Sequence, residues 1–160
     1  HAQQLVDAKI PFIFDPGQGL PMFNGEELVK FAQQATYIAL NEYEAQLFQD
    51  RTSLSAQEVS NHVEALIITR GAQGSTIYTQ GEKLTIPCAK AEKLLDPTGC
   101  GDAYRAGLIH GILHGKEWQT TGRIASLLGA IKIEHHGTQN HTFSMPSFKA
   151  RFADEFGYNF

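Results

Sequence analysis

With 160 residues and a hydrophobic fraction of 42%, the chain has the length and apolar content of one compact globular domain. Its formal net charge of -4 at pH 7 argues against a general nucleic-acid binder, which displaces counterions with clustered Lys and Arg, and no apolar run is long enough to cross a membrane. Two cysteines make no disulfide framework and suit a reducing cytoplasm; Cys100 lies in a Gly-rich turn and Cys88 reads as a small buried filler.

Residues 1–6 lack an initiator Met and a signal-peptide pattern and read as the middle of an amphipathic helix, so further sequence upstream is expected. Residues 11–15 are a short apolar run stopped by Pro16-Gly17, a buried strand with a turn at its carboxyl end. Residues 25–34 have a helical period, with Leu28, Val29 and Phe31 on one side and Glu26 and Glu27 in the first turn. A second strand-like run covers 35–40, helical pattern returns over 42–49 and 55–63, and residues 65–69 are the clearest buried strand. This repeated strand–turn–helix order predicts a parallel sheet covered by helices, an α/β domain. Residues 75–79 and 83–87 flank Gln80-Gly81-Glu82 as a hairpin that adds antiparallel strands at one edge. Two helices are expected over 103–114 and 121–133. A last one is expected in the tail, where Phe148, Phe152 and Phe156 read as core.

In α/β folds of this kind ligands collect at the carboxyl ends of the parallel strands, where Asp15, Asn41, Glu44 and residues 69–74 fall. The most unusual local segment is Thr98-Gly99-Cys100-Gly101-Asp102, opening a helix. Two glycines let the backbone approach a ligand without Cβ interference. The helix start adds unpaired N–H groups and the positive end of its dipole, a combination suited to phosphate. Asp102 would repel a phosphate there unless it receives a proton from an attacking hydroxyl. The local residues leave two readings open: this one, and a tight turn with Asp102 as helix N-cap. No Walker-type run and no Gly-x-Gly-x-x-Gly after the first strand is present, which sets aside P-loop kinases and dinucleotide sites.

Residues 96–104 resemble the second signature of the ribokinase-like (PfkB) carbohydrate kinases, commonly Asp-Thr-x-Gly-Ala-Gly-Asp, with Pro97 for the usual Thr and Cys100 for the usual Ala. Three further segments match in family order. Asn41-Glu42-Tyr43-Glu44 is similar to the Asn-x-x-Glu motif, residues 69–74 to the Thr-x-Gly-x-x-Gly segment, and Gly137-Thr138-Gln139 to the Gly-Ala-Gln-like loop. The resemblance implies a three-layer α/β/α, ribokinase-like fold with a mostly parallel sheet and an antiparallel edge hairpin. It implies that residues 1–160 are the carboxyl-terminal, nucleotide-binding portion, with the substrate half and lid lying elsewhere. The implied activity is ATP-dependent transfer of the γ-phosphoryl group to a hydroxyl of a small-molecule acceptor, a nucleoside (adenosine) or a sugar. Residues 14–18 and 101–107 look most like the bacterial adenosine-kinase and related sugar-kinase branch.

The same resemblance implies the roles of individual residues. Asp102 is the base, and the amides of Gly99, Cys100 and Gly101 form the anion hole. Asn41 and Glu44 organise Mg²⁺, through water. Thr69, Gly71 and Gly74 border the ribose or phosphates of ATP, and Ser126 and Gly129 leave room for adenine. A monovalent cation such as K⁺ is implied near Asp96, Thr98 and residues 135–137. The competing readings are a nucleotide-binding module without catalysis, which is also what the isolated 160 residues are expected to be, and a hydrolase that presents the anion hole to water.

Other residues carry weaker signals. His135, His136 and His141 invite a metal, but adjacent histidines at a helix end point apart and no partner stands at zinc spacing. His110 and His114, four apart, read as helix surface or cap. Arg105 is open between a phosphate and a core carboxylate. Asp15 is open between substrate contact and a cap on the Pro16-Gly17 turn, with the turn favoured.

Overall fold

The computed structural model describes all 160 residues, which divide into two compact units: residues 1–70 with 75–85, and residues 71–74 with 86–160. The first unit opens with α1 (Ala2–Asp7), β1 (Ile13–Phe14), α2 (Gly25–Gln34), β2 (Tyr37–Asn41), α3 (Glu42–Thr52), α4 (Ala56–Ser60) and β3 (Ala65–Thr69). The hairpin strands β4 (Ser75–Thr79) and β5 (Glu82–Ile86) follow, and Ile86 already counts with the second unit. The sheet runs in chain order from β1 to β5. β2 pairs in parallel with β1 and with β3, so that Tyr37 faces Ile13 on one side and Ala65 on the other. β4 turns back antiparallel along β3, Thr69 against Ser75. The α/β class and the antiparallel edge hairpin are therefore as the sequence pattern predicts.

β2 and β3 read as continuous apolar runs because both of their faces are covered. Ile38, Ala39 and Leu40, and Ala65, Leu66 and Ile67, are all buried. Leu20, Leu28, Ala32, Phe48 and Val59 close the same core. Three helices of this unit start on a reciprocal capping box: Asn24 with Glu27, Asn41 with Glu44, and Ser55 with Glu58. On α2 the fully buried positions are Leu28 and Ala32, one turn apart, and Val29 is only half-buried. Phe31, also half-buried, instead stacks on Phe14, ring centroids 4.6 Å apart. β1 is two residues long rather than five, and α4 stops at Ser60, because Asn61 ends it where the pattern alone continued to residue 63.

The second unit contains α5 (Cys100–Leu113), α6 (Trp118–Ile133) and α7 (Met145–Phe156). α5 starts three residues earlier than its apolar period, which places the Gly-rich loop inside the first helical turn. α5 and α6 touch almost backbone to backbone. A Cβ added at Gly107 would lie 2.5 Å from Ala125 Cα, and one at Gly111 would lie 2.5 Å from Thr121 Oγ1. α7 packs Phe148 and Phe152 against Ile124, Leu127 and Ile131, with Phe156, Tyr158 and Phe160 around them, so the aromatic tail is core. Buried Glu134, just past α6, holds Arg151 of α7 in a two-pronged ion pair of 2.6 and 2.9 Å and accepts the Glu92 N–H at 2.7 Å. Cys88 is exposed and its neighbour Ala89 is buried; this is contrary to the filler reading. No helix is long and apolar enough to cross a membrane.

The α5–α6 seam leaves no room for a methyl group. Gly107→Ala should lower unfolding stability by about 1–3 kcal/mol, the usual range for overpacking, although alanine is the better helix former. A thermal or denaturant melt of the variant against the parent protein checks this, and an unchanged or raised midpoint would show that the helices separate freely.

Candidate active site

The amino end of α5 is opened by a glycine. Gly99, the N-cap residue, sits at φ +85°, a left-handed conformation that favours glycine, and no side chain caps the helix. Asp102 is thus the third helical residue and not the N-cap, which removes the capping alternative for its carboxylate. The Asp102 side chain is exposed. The Cys100 N–H donates to Pro97 O at 3.1 Å and closes the turn into the helix. That bond corrects the expected trio of anion donors. Cys100 is committed internally, and the amides of Gly101 and Asp102, in the first turn, are without an intrahelical acceptor. Burial pushes the Cys100 thiol up, so it stays protonated and plays no nucleophilic part.

Behind this turn, the loop over residues 135–138 acts as its support. A Cβ on Gly99 would lie 3.2 Å from Thr138 Cα, so glycine is needed there for space as well as for φ. Asp96 clips the two segments together. Its Oδ1 accepts the Thr98 N–H at 2.9 Å and its Oδ2 accepts the Gly137 N–H at 2.8 Å. These bonds, first that of the Thr98 amide, then the Thr98 hydroxyl and the Gly137 amide, hold the Asp96 carboxyl down at about 2. Arg105, one turn into α5, folds its guanidinium back over the loop: a Cβ on Gly101 would meet Nη1 at 2.6 Å. The guanidinium thus lies beside the first turn of α5.

The monovalent-cation reading meets a direct obstacle. The carbonyl oxygens of Asp96 and His135 accept from Lys132 Nζ, at 2.8 and 3.1 Å, and both Asp96 carboxylate oxygens are engaged by N–H groups. The residues present do not fit a metal ion at this place, because an ammonium already sits on the oxygens it would need.

Ser126 and Gly129 lie on α6. The Ser126 hydroxyl accepts from Ala89 N–H at 2.7 Å and donates to Pro87 O at 2.9 Å, so it can offer a ligand its small size but not a free hydroxyl. Gly129 faces the Cys100 carbonyl, and a Cβ there would meet it at 3.7 Å, an ordinary contact. Packing within the protein does not require glycine at 129, in contrast to 107 and 111. Gly71 at φ +53° has open space where a Cβ would be, whereas Gly74 has its place filled by Ile86 O, 2.1 Å away. Gly74 is thus explained by close packing on the hairpin, and Gly71 is the exposed one of the pair. Thr69 ends β3 and donates its hydroxyl toward Leu40 O at 3.5 Å.

In the first unit, the Asn41–Glu44 pair is a capping box. Asn41 Oδ1 accepts the Glu44 N–H at 2.8 Å, and Glu44 Oε2 accepts the Asn41 N–H at 2.8 Å. The signal for it, Asn-x-x-Glu ahead of a helical run, stands in the sequence and was missed. A hydrated Mg²⁺ fits this arrangement through Glu44 alone, a buried carboxylate with one oxygen fixed. Asn41 is left as the residue that positions Glu44. Among the remaining candidates, His110 and His114 stack at 4.1 Å on the α5 surface. Lys132 is the residue the sequence reading overlooked, since nothing local marks a lysine in a helical run as buried.

The start of α5, opened by left-handed Gly99 with the exposed Asp102 in its first turn, sits in a chain of α/β class. The chain belongs to the pfkB family of carbohydrate kinases, whose model matches residues 7–144. It is 35% identical over 128 residues to a nucleoside kinase of Methanocaldococcus jannaschii, covering 80% of this chain and 42% of that protein. The structure of the Burkholderia thailandensis nucleoside kinase in complex with inosine superimposes with a TM-score of 0.98 at 51% identity, over 99% of this chain and 52% of that one. The ribokinase of Arabidopsis thaliana, complexed with ribose and ATP, shares the fold at 19% identity and a TM-score of 0.77. The chain spans about half the length of the relatives it matches.

The carboxyl of Asp96 titrates below its ordinary value of 3.8, at about 2, so the clip it makes is fully present above that ordinary value and is lost as pH falls toward about 2. Asp96→Asn should lower thermal stability at neutral pH, and the gap to the parent protein should close as pH drops through that window. Melting curves over the acid range check this; a gap independent of pH would show that the carboxylate charge does not hold the loop.

Proposed function

We propose that the protein is an ATP-dependent nucleoside kinase and that these residues form its nucleotide and phosphoryl-transfer side, the acceptor being gripped mainly by residues outside this chain. The observation that carries the reading is the start of α5, where left-handed Gly99 and the absence of a side-chain cap leave first-turn amides free beside the Asp102 carboxylate. Family membership and the two nucleoside kinases matched at 35% and 51% identity favour a nucleoside over a simple sugar as acceptor. Inosine, bound in the B. thailandensis protein, joins adenosine as a purine nucleoside to test first.

In this reading Asp102 accepts the proton of the attacking hydroxyl while that oxygen forms its bond to the γ-phosphorus and the bond to the ADP oxygen breaks. The amides of Gly99, Gly101 and Asp102, with the positive helix end, stabilise charge spreading over the transferred group. Arg105 adds a fixed positive charge at the same turn. Glu44, kept in place by Asn41, would hold Mg²⁺ through water, and the ion would supply charge that neutralises the phosphates. Gly71 and Thr69 border the nucleotide, and Gly129 and Ser126 keep α6 low enough for the adenine ring. Free Cys88 and Cys100 suit a reducing compartment such as the cytoplasm. The 160 residues alone would bind nucleotide without turning it over.

Asp102 is exposed, so Asp102→Asn should leave stability within about 1 kcal/mol of the parent while reducing kcat on a purine nucleoside by roughly 10²- to 10⁴-fold with ATP binding kept. Steady-state kinetics of the full-length protein, with ATP binding followed by calorimetry, make the measurement. Unchanged turnover removes Asp102 from its role, and release of ADP without phosphorylated nucleoside would point to a hydrolase. Gly129→Ala separates packing from binding. Alanine should raise stability by about 0.5–1 kcal/mol as a better helix residue, yet weaken ATP binding several-fold. Stability and affinity that rise together would place the adenine elsewhere.

A further inference from the structure

Lys132 is the only basic residue among the fully buried side chains. It lies in the last turn of α6, and its ammonium donates to Asp96 O at 2.8 Å and to His135 O at 3.1 Å. Burying an ammonium costs several kcal/mol unless the site solvates it, and main-chain carbonyl oxygens are how proteins solvate a bare monovalent cation. The two carbonyls come from the two segments on which the phosphate-binding turn depends. Asp96 immediately precedes the turn through Pro97, Thr98 and Gly99, and His135 leads into Gly137 and Thr138, on which Gly99 packs. The Asp96 carboxylate joins the same two segments through the Thr98 and Gly137 amides. The turn and its supporting loop are thus clipped twice, once by an anion and once by a cation, with Leu95 N–H and Asp96 N–H held on Ile133 O as well.

Resting on the kinase reading above, we propose that the Lys132 ammonium is a built-in monovalent cation behind the anion-binding turn, a positioning residue that makes the protein independent of bound K⁺. The charge reaches the turn. Burial raises the Cys100 thiol, and Lys132 pulls against that rise; it also contributes to the low value of the Asp96 carboxyl, after the hydrogen bonds from Thr98 and Gly137. A lysine differs from a metal ion in one functional respect: it cannot dissociate. The turn is then organised at every potassium concentration, and no cation has to bind before nucleotide does.

The test uses the full-length protein, its Lys132→Ala and Lys132→Met variants, and two readouts. The first is melting temperature in KCl or NH₄Cl against tetramethylammonium chloride at equal ionic strength. The parent protein should show no specific response to K⁺. Lys132→Ala should melt lower and recover with K⁺ or NH₄⁺ in a saturable way, by mass action on the vacated carbonyls. The second is kcat with ATP and a purine nucleoside. Lys132→Ala should lose about 10²-fold, the scale of a misplaced catalytic group, and regain part of it with the same cations. Lys132→Met keeps the bulk without the charge, and should lose activity without cation rescue because its side chain fills the place. Saturable stabilisation of the parent by K⁺ overturns the proposal. So does a Lys132→Met variant of full activity, or a Lys132→Ala variant destabilised equally in all three salts, which would make Lys132 a packing residue only. The melting readout needs no turnover, so a parent protein inactive on every nucleoside would overturn the kinase reading and leave the cation result standing on its own.

Discussion

The α5–α6 seam is the constraint on which the second unit depends. Without side chains at Gly107 and Gly111, the two helices approach until Ala125 and Thr121 touch the opposite backbone. That closeness carries the start of α5 down to the middle of α6, where Gly129 lies against the Cys100 carbonyl. It also brings the carboxyl end of α6 behind the turn, where Lys132 reaches Asp96 and His135. With a bulkier pair of helices, the first-turn amides of α5, the clip at Asp96 and the ammonium behind it would no longer share one place.

Helix ends divide the labour between structure and chemistry. α2, α3, α4 and α7 begin on reciprocal caps that satisfy their own donors. One of these, Asn41 with Glu44, holds the carboxylate that the family resemblance links to Mg²⁺, so a structural device and a ligand position coincide in a single pair. α5 has neither cap nor capping partner, and its second and third residues are Gly101 and Asp102. The same physics of unpaired amides is thus answered by side chains at four helix starts and left unanswered by any side chain at α5, as at α1 and α6.

Much of the fold was legible because burial writes itself into local pattern. β3 and β4 and the helix over residues 25–34 fall where their periodicities predicted, since strands covered on both faces need unbroken apolar runs and α2 is bracketed by Asn24 and Ala35. The candidate site was half legible. Gly99 and Gly101 announce a backbone that must approach something, and their company at Asp102 narrows what it is. What the sequence withheld was the destination of main-chain atoms: the Cys100 amide turned inward to Pro97, and the Asp96 and His135 carbonyls turned toward Lys132. Those are contacts between residues up to 41 apart in the Asp96 clip, set by packing and invisible to any window of local pattern. Cys88 failed because its type suggests burial, while it lies exposed in a segment outside any helix or strand.

The missing cap on α5 has a consequence for how the protein holds together. A helix whose first amides lack acceptors frays from that end, and an anion bound there completes the hydrogen-bond set that a side chain completes elsewhere. In the proposed kinase, ligand occupancy and the integrity of the first turn of α5 would therefore be two descriptions of one equilibrium. Filling that bond pattern would secure not the turn alone but the helix pair whose seam begins beneath it.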